Sequence, residues 1–116
     1  MLFALASAIP GTSVFNHCER LRIKESDRIA AMKEELETLG AIVSDEGDAV
    51  WIHGTSSLKG NVTLNGHNDH RIVMALSVLA QAADGPLEIE GCEAVNKSYP
   101  DFFRDYELAG GRITLL

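Results

Sequence analysis

Long apolar runs are missing from this 116-residue chain: none reaches the roughly 18 residues that a membrane-crossing helix needs, so no transmembrane span is expected. A basic excess is missing too. Ten Lys and Arg stand against 17 Asp and Glu, a formal net charge of -7, so the broad positive face that duplex DNA or an anionic membrane requires is not available and neither is expected as a partner. Three prolines exclude a proline-rich segment, and ten glycines with no period exclude a collagen-like one. The two cysteines, Cys18 and Cys92, are distant and belong to no motif, which fits reduced thiols in a cytoplasmic protein better than a disulfide framework. Aromatic residues are only 6% of the chain, yet hydrophobic residues are 46%, which excludes intrinsic disorder. The opening MLFALASAIPG lacks the basic lead-in of a signal peptide and reads as the last turns of a buried helix. A chain this short buries about 65% of its unfolded surface, enough for one core and one domain.

Periodicity sets out the elements. The helix of residues 1–9 is stopped by Pro10 and Gly11, residues 12–15 suit a short strand, and the alternating RLRI within residues 19–23 suits a strand with one wet face. From Glu25 to Leu39 the spacing of Ile29, Met32, Leu36 and Leu39 is helical, with Ser26 and Asp27 as capping residues and Gly40 as the stop. Strands at 41–43 and 49–53 flank the turn-forming SDEGD, and another follows at 61–64. After the turn 66–69 comes a helix apolar on nearly every side, which has to be surrounded. A buried strand is expected at 87–89, a helix at 99–108 with Ser98 as its cap and Asp101 completing a capping box, and a final strand at 112–116. The order predicts an α/β or α+β layer structure in which helices cover one face of a mixed sheet. Neither Gly-x-Gly-x-x-Gly nor Gly-x-x-x-x-Gly-Lys-Ser/Thr occurs, so a dinucleotide or a P-loop nucleotide is not indicated.

Within this acidic chain Arg20, Arg22, Lys24 and Arg28 crowd one segment, RLRIKESDRI. A strand running into a helix there would set the Lys24 ammonium and the Arg28 guanidinium around a helix end that already attracts anions, with Glu25 beside them as a proton donor or acceptor. The alternative is a solvated helix start with ordinary surface ion pairs. GHNDHRI, residues 66–72, places His70 and the cation Arg71 at the start of the apolar helix, where a positive charge opposes the helix dipole and calls for an anionic ligand or a carboxylate such as Asp69. His70 could equally be a satisfied structural histidine. In AVNKSYPDFF, residues 94–103, Lys97 precedes a third helix start, though a lone lysine there is an ordinary solvated side chain. One arrangement repeated three times suggests convergence on a single small polyanion. His67 and His70 with His17, His53 or a cysteine have no close-spaced second pair, so no metal is expected.

KESDR at 24–28, NDHR at 68–71 before an apolar helix, and NKSYPDFF at 96–103 together resemble the C-terminal portion of the 3-phosphoshikimate 1-carboxyvinyltransferase (enolpyruvylshikimate-phosphate synthase) family, over essentially the whole chain. The enolpyruvyl transferase of cell-wall synthesis shares that fold and lacks KESDR. The resemblance implies a two-domain transferase of aromatic amino acid biosynthesis, each domain built from three βαβαββ units, with the active site between them. It implies transfer of the enolpyruvyl group of phosphoenolpyruvate to the 5-hydroxyl of shikimate 3-phosphate without a metal or organic cofactor. By position, Lys24 would contact the substrate phosphate, Glu25 would move a proton at the enolpyruvyl methylene carbon, and Arg28, Arg71 and Lys97 would bind phosphoenolpyruvate; His70, the histidine of the DHR motif, would join Glu25 and Lys24 as a catalytic residue.

Residues 1–116 would then be a single partial domain; an essential aspartate shortly upstream of residues 1–9, and separately the whole first domain, would lie outside them. Such a piece is expected to be inactive alone and to self-associate through uncovered surfaces. The rival is a stand-alone module that holds a phosphorylated metabolite through the same cations.

Overall fold

The computed structural model describes residues 1–24 and 26–114. Helix α1 (Leu2–Ser7) leads into strand β1 (Gly11–Phe15), a 3₁₀ helix (Glu19–Ile23) and helix α2 (Arg28–Thr38). Ile29, Met32 and Leu36 form the buried stripe of α2, and the Asp27 carboxylate caps it by accepting the Ala30 N–H at 3.1 Å. Gly40, at φ +104°, turns the chain out of the helix in a conformation that costs glycine little.

Strands β2 (Ile42–Glu46) and β3 (Ala49–Gly54) form a hairpin closed at Gly47 and Asp48, with Glu46 paired to Ala49 and Gly47 at φ +61°. β1 pairs with the other edge of β3, giving an antiparallel sheet of order β1-β3-β2. A second unit follows, in which strand β4 (Val62–Asn65) crosses through helix α3 (His70–Leu79) to strand β5 (Leu87–Glu90) and pairs with it in parallel. A 3₁₀ helix (Cys92–Lys97) and helix α4 (Phe102–Leu108) complete the chain.

The class expected from the sequence holds: a mixed α/β unit with helices packed on sheet, its described strands divided between an antiparallel trio and a parallel pair. α3 is the spine. Ile72, Ala75, Leu76 and Leu79 belong to the main core with Leu36, Val43, Val50, Ile52, Leu58 and Leu64, while Val73 faces a smaller core of Ala94, Val95 and Phe102. No helix among the described residues is long and apolar enough to cross a membrane.

Several elements depart from expectation. Residues 19–23 are a 3₁₀ helix and not a strand: Leu21 packs on the core while Ile23, which a strand would have put on the same face, is 81% exposed. α2 begins at Arg28, later than expected, because Asp27 is its cap and the Ser26 hydroxyl is drawn to Asp69 at 2.7 Å. β2 continues through Glu46, so only Gly47 and Asp48 of SDEGD turn. β5 is half-buried, with Glu88 and Glu90 facing outward.

Ser98 does not cap α4. Its N–H closes the preceding 3₁₀ turn onto the Val95 carbonyl, and Pro100 disfavours helical geometry at Tyr99, so α4 starts at Phe102 after Asp101, whose side chain makes no capping bond. Residues 112–114 join no strand ladder among the described residues, and Leu115 and Leu116 lie outside them.

Candidate active site

The site is built around the turn between β4 and α3. Gly66 lies so close to its surroundings that a Cβ there would come within 2.6 Å of Val73 Cγ2 and 2.9 Å of the Glu90 carbonyl oxygen, so only glycine fits. His67 (φ +54°) and Asn68 (φ +51°) then take the left-handed conformation consecutively, which is unfavourable for non-glycine residues. The turn is held by local bonds: the His67 N–H donates to Asn65 Oδ1 at 2.7 Å and the Asp69 N–H to the Gly66 carbonyl at 3.0 Å.

Asp69 is the junction. Its side chain is fully buried, caps α3 by accepting the Arg71 N–H at 3.0 Å, and receives the Ser26 hydroxyl at 2.7 Å. Arg28 grips both its oxygens, Nε to Oδ2 at 2.8 Å and Nη2 to Oδ1 at 3.2 Å, in the two-pronged geometry favoured by guanidinium and carboxylate. Burial pushes the Asp69 pKa up, but the bonds from Arg28, Ser26 and the Arg71 N–H outweigh it and hold the carboxyl below its ordinary range. KESDR and NDHR, some forty residues apart in sequence, are thus fastened at one point. The carboxylate partner anticipated for Arg71 belongs instead to Arg28.

Arg71 is exposed on the first turn of α3, and Arg28 and Arg71 share the wall of a cavity of about 590 Å³ whose other walls include Phe3, Phe15, Met32 and Ile72. The two guanidinium groups therefore act on the same space. Lys97, at the end of its 3₁₀ helix, donates from Nζ to the Asn68 carbonyl at 2.5 Å, and among the described residues two of its three N–H donors stay available.

The structure therefore brings Arg28, Arg71 and Lys97 to the 68–71 turn. Lys24 is exposed where the 3₁₀ helix ends, two residues before Ser26, and not at a helix start; no contact among the described residues joins it to the 68–71 turn. Arg22 leaves the anticipated cation group, as it pairs with Asp45 at 2.6 Å and Asp27 at 3.6 Å and fastens the 3₁₀ segment to β2. Glu25 lies outside the described residues. His70 is buried at the first position of α3.

Glu35 escaped the sequence reading, although its place on the α2 stripe between Met32 and Leu36 was a signal, since a carboxylate there has to be buried and paired. It accepts the Asn65 N–H at 2.9 Å and meets His67 Nε2 at 2.7 Å. Glu34, Glu35 and His67 offer donor atoms within 4.8 Å of one another; Glu34 is exposed, and the close contact among the three is the Glu35–His67 hydrogen bond.

The overall fold is that of the enolpyruvyl transferases. The chain superposes on the enolpyruvyl transferase NikO from Streptomyces tendae with a TM-score of 0.72 at 20% identity, covering 97% of this chain and 25% of that one. It superposes more closely on EPSP synthase from Acinetobacter baumannii, with a TM-score of 0.88 and 33% identity over 97% of this chain and 27% of that one. Residues 1–106 match the EPSP synthase (3-phosphoshikimate 1-carboxyvinyltransferase) family, and the chain belongs to that family. Among curated relatives, the 3-phosphoshikimate 1-carboxyvinyltransferase of Clostridium kluyveri is 48% identical over 114 residues, 97% of this chain and 26% of its own length. That of Halorubrum lacusprofundi is 45% identical over 100 residues, 86% of this chain and 22% of its own length. The chain thus spans about a quarter of the relatives it matches.

Proposed function

We propose that this chain forms one wall of the catalytic cleft of an EPSP synthase, a cytoplasmic enzyme that transfers the enolpyruvyl group of phosphoenolpyruvate to the 5-hydroxyl of shikimate 3-phosphate. The observation that carries the reading is the joining of Arg28, Arg71 and Lys97 at the turn before α3. Family membership favours this enzyme over a stand-alone metabolite-binding module. In the reaction the hydroxyl gives up its proton as its oxygen adds to C2 of phosphoenolpyruvate, and C3 gains a proton. Loss of a proton from C3 then expels phosphate and restores the double bond.

Both substrates carry phosphate and carboxylate groups, and the charge shifting onto the departing phosphate is stabilised by cations fixed in advance. Arg71 and Lys97 present exposed N–H donors for phosphoenolpyruvate, and Arg28, oriented by Asp69, adds a guanidinium at the cavity wall. Lys24 reaches toward the substrate phosphate, and Glu25 carries the proton to and from C3. His70, buried as the first residue of α3, is the third member of the catalytic set with Lys24 and Glu25. No metal or organic cofactor enters this scheme.

The test is a graft. The 116-residue chain, inserted in place of the matched segment of the Clostridium kluyveri relative, should release phosphate from phosphoenolpyruvate only when shikimate 3-phosphate is present. A folded chimera that released none would contradict the reading. The chain by itself, lacking the remainder of the cleft, should show no turnover with both substrates, and turnover near the usual enzyme range of about 1–10³ per second would show it to be complete. Leu2, Leu5, Ile9 and Ile42 stand exposed, and such apolar surface predicts self-association. Light scattering should report more than one chain per particle at high micromolar concentration; a monomer throughout would exclude it.

A further inference from the structure

Arg28 and Glu35 lie seven positions apart on α2, close to two full turns, and therefore share a face of that helix. Arg28 grips Asp69 at the far end of the β4–α3 turn, and Glu35 grips Asn65 and His67 at the near end. Between these fastenings lie the two consecutive left-handed residues, His67 and Asn68, and the Asn68 carbonyl that receives Lys97. A left-handed non-glycine residue is disfavoured and persists only where its surroundings enforce it. The turn's own bonds supply one part of that enforcement, through Asn65 Oδ1, and the Glu35 carboxylate supplies the other.

Resting on the function proposed above, we infer that Glu35 is a positioning residue of the site: its buried carboxylate, bonded to the Asn65 N–H and His67 Nε2, holds the turn in the form that places Lys97 and Arg71 for an anionic substrate. Core packing alone does not require a carboxylate here. The side chain is only 4% exposed, desolvating its charge is costly, and an apolar residue of similar size would fill the space without that cost. What such a residue cannot do is accept the Asn65 N–H and engage the His67 ring. The same residues explain why His67 occupies a backbone position better suited to glycine: its ring reaches a carboxylate on another element, which glycine could not do.

Glu35→Leu, Glu35→Gln and His67→Asn separate placement from bulk stability, with Val43→Ala in the core as a control for destabilisation. Each isotopically labelled chain is titrated with phosphoenolpyruvate and followed by amide resonances and amide exchange. Glu35→Leu should speed exchange at Asn65, move the resonances of His67, Asn68 and Lys97, and weaken phosphoenolpyruvate binding about tenfold. Glu35→Gln retains an acceptor for Asn65 and a polar group for His67, and should recover affinity to within a few-fold of the parent. His67→Asn tolerates the left-handed backbone but loses the ring, and should add little once Glu35→Leu is present, since the two act as one unit. Val43→Ala should lower stability without changing affinity.

A Glu35→Leu chain with unchanged turn resonances overturns the inference, and so does one whose turn loosens while affinity stays the same. Failure of the parent chain to bind phosphoenolpyruvate at all would count against the proposed function. In that case the resonances of Asn68 and Lys97 in Glu35→Leu decide the fastening by themselves, and their constancy would overturn it.

Discussion

Asp69→Ala should remove about 3–5 kcal/mol of folding stability, the loss expected when one partner of a buried ion pair is deleted and the other is left behind. The partner left behind is Arg28, whose side chain is only 12% exposed and whose Nε and Nη2 both donate to Asp69. The Ser26 hydroxyl and the Arg71 N–H lose the same acceptor, and α3 loses its cap, which by itself is worth about 1 kcal/mol. For a domain of total stability in the usual range of about 5–15 kcal/mol, that is a large share. Urea unfolding should show the midpoint falling with little change in slope. A loss below about 1 kcal/mol would mean that Arg28 and α3 are held by something else.

Asp69→Asn isolates the charge, because asparagine caps a helix about as well as aspartate. The folded pKa of Asp69 is depressed, so its contribution is fully present above the unfolded value of about 3.9 and is lost as pH falls through the lower folded value. The parent chain should therefore lose stability on acidification through that window, and Asp69→Asn should lose less there.

The second large effect has opposite signs for stability and function. Arg71 is a cation on the first turn of α3, where the helix dipole disfavours positive charge by about 0.3–1 kcal/mol. Arg71→Ala should thus leave the chain as stable as before or slightly more so. In the Clostridium kluyveri graft the same change should lower phosphate release about 10²- to 10³-fold, the usual consequence of removing one fixed donor to a developing anion. A thermal melt and a phosphate assay give the two values. Loss of stability together with activity would make Arg71 a structural residue, whereas undiminished activity would remove it from the site.

Much of the fold was legible because it rests on periodicity. Ile29, Met32 and Leu36 at helical spacing, and the uninterrupted apolar run of α3, each allow one outcome when an amphipathic or enclosed helix is needed. RLRI was ambiguous in a way that no single sequence resolves: alternation over four residues fits a strand, but Arg22 reaching Asp45 and Asp27 and Leu21 reaching the core also satisfy a 3₁₀ turn. Ser98 was misleading because the competing use of its N–H lies in the preceding turn, which a capping pattern does not show.

In the site, the cations of KESDR, NDHR and NKSYP were evident from their charge, yet their fastening was not. The pairing of Arg28 with Asp69 and of Glu35 with His67 depends on α2 lying against the β4–α3 turn, a contact between segments more than thirty residues apart. Asp69 was legible as a cap; that it also fixes Arg28 is a property of packing.

A single titration addresses the meeting of three separated segments on one anion most directly. Phosphoenolpyruvate, added to the labelled 116-residue chain, should bind in the millimolar range, about -4 kcal/mol, as a few charge-assisted hydrogen bonds without the rest of the cleft would give. The shifted amides should be those around Arg28, Asp69 to Arg71, and Lys97 together. Shifts confined to one of these segments, or centred on the separate groove lined by Thr63, Gln81 and Tyr106, would contradict it.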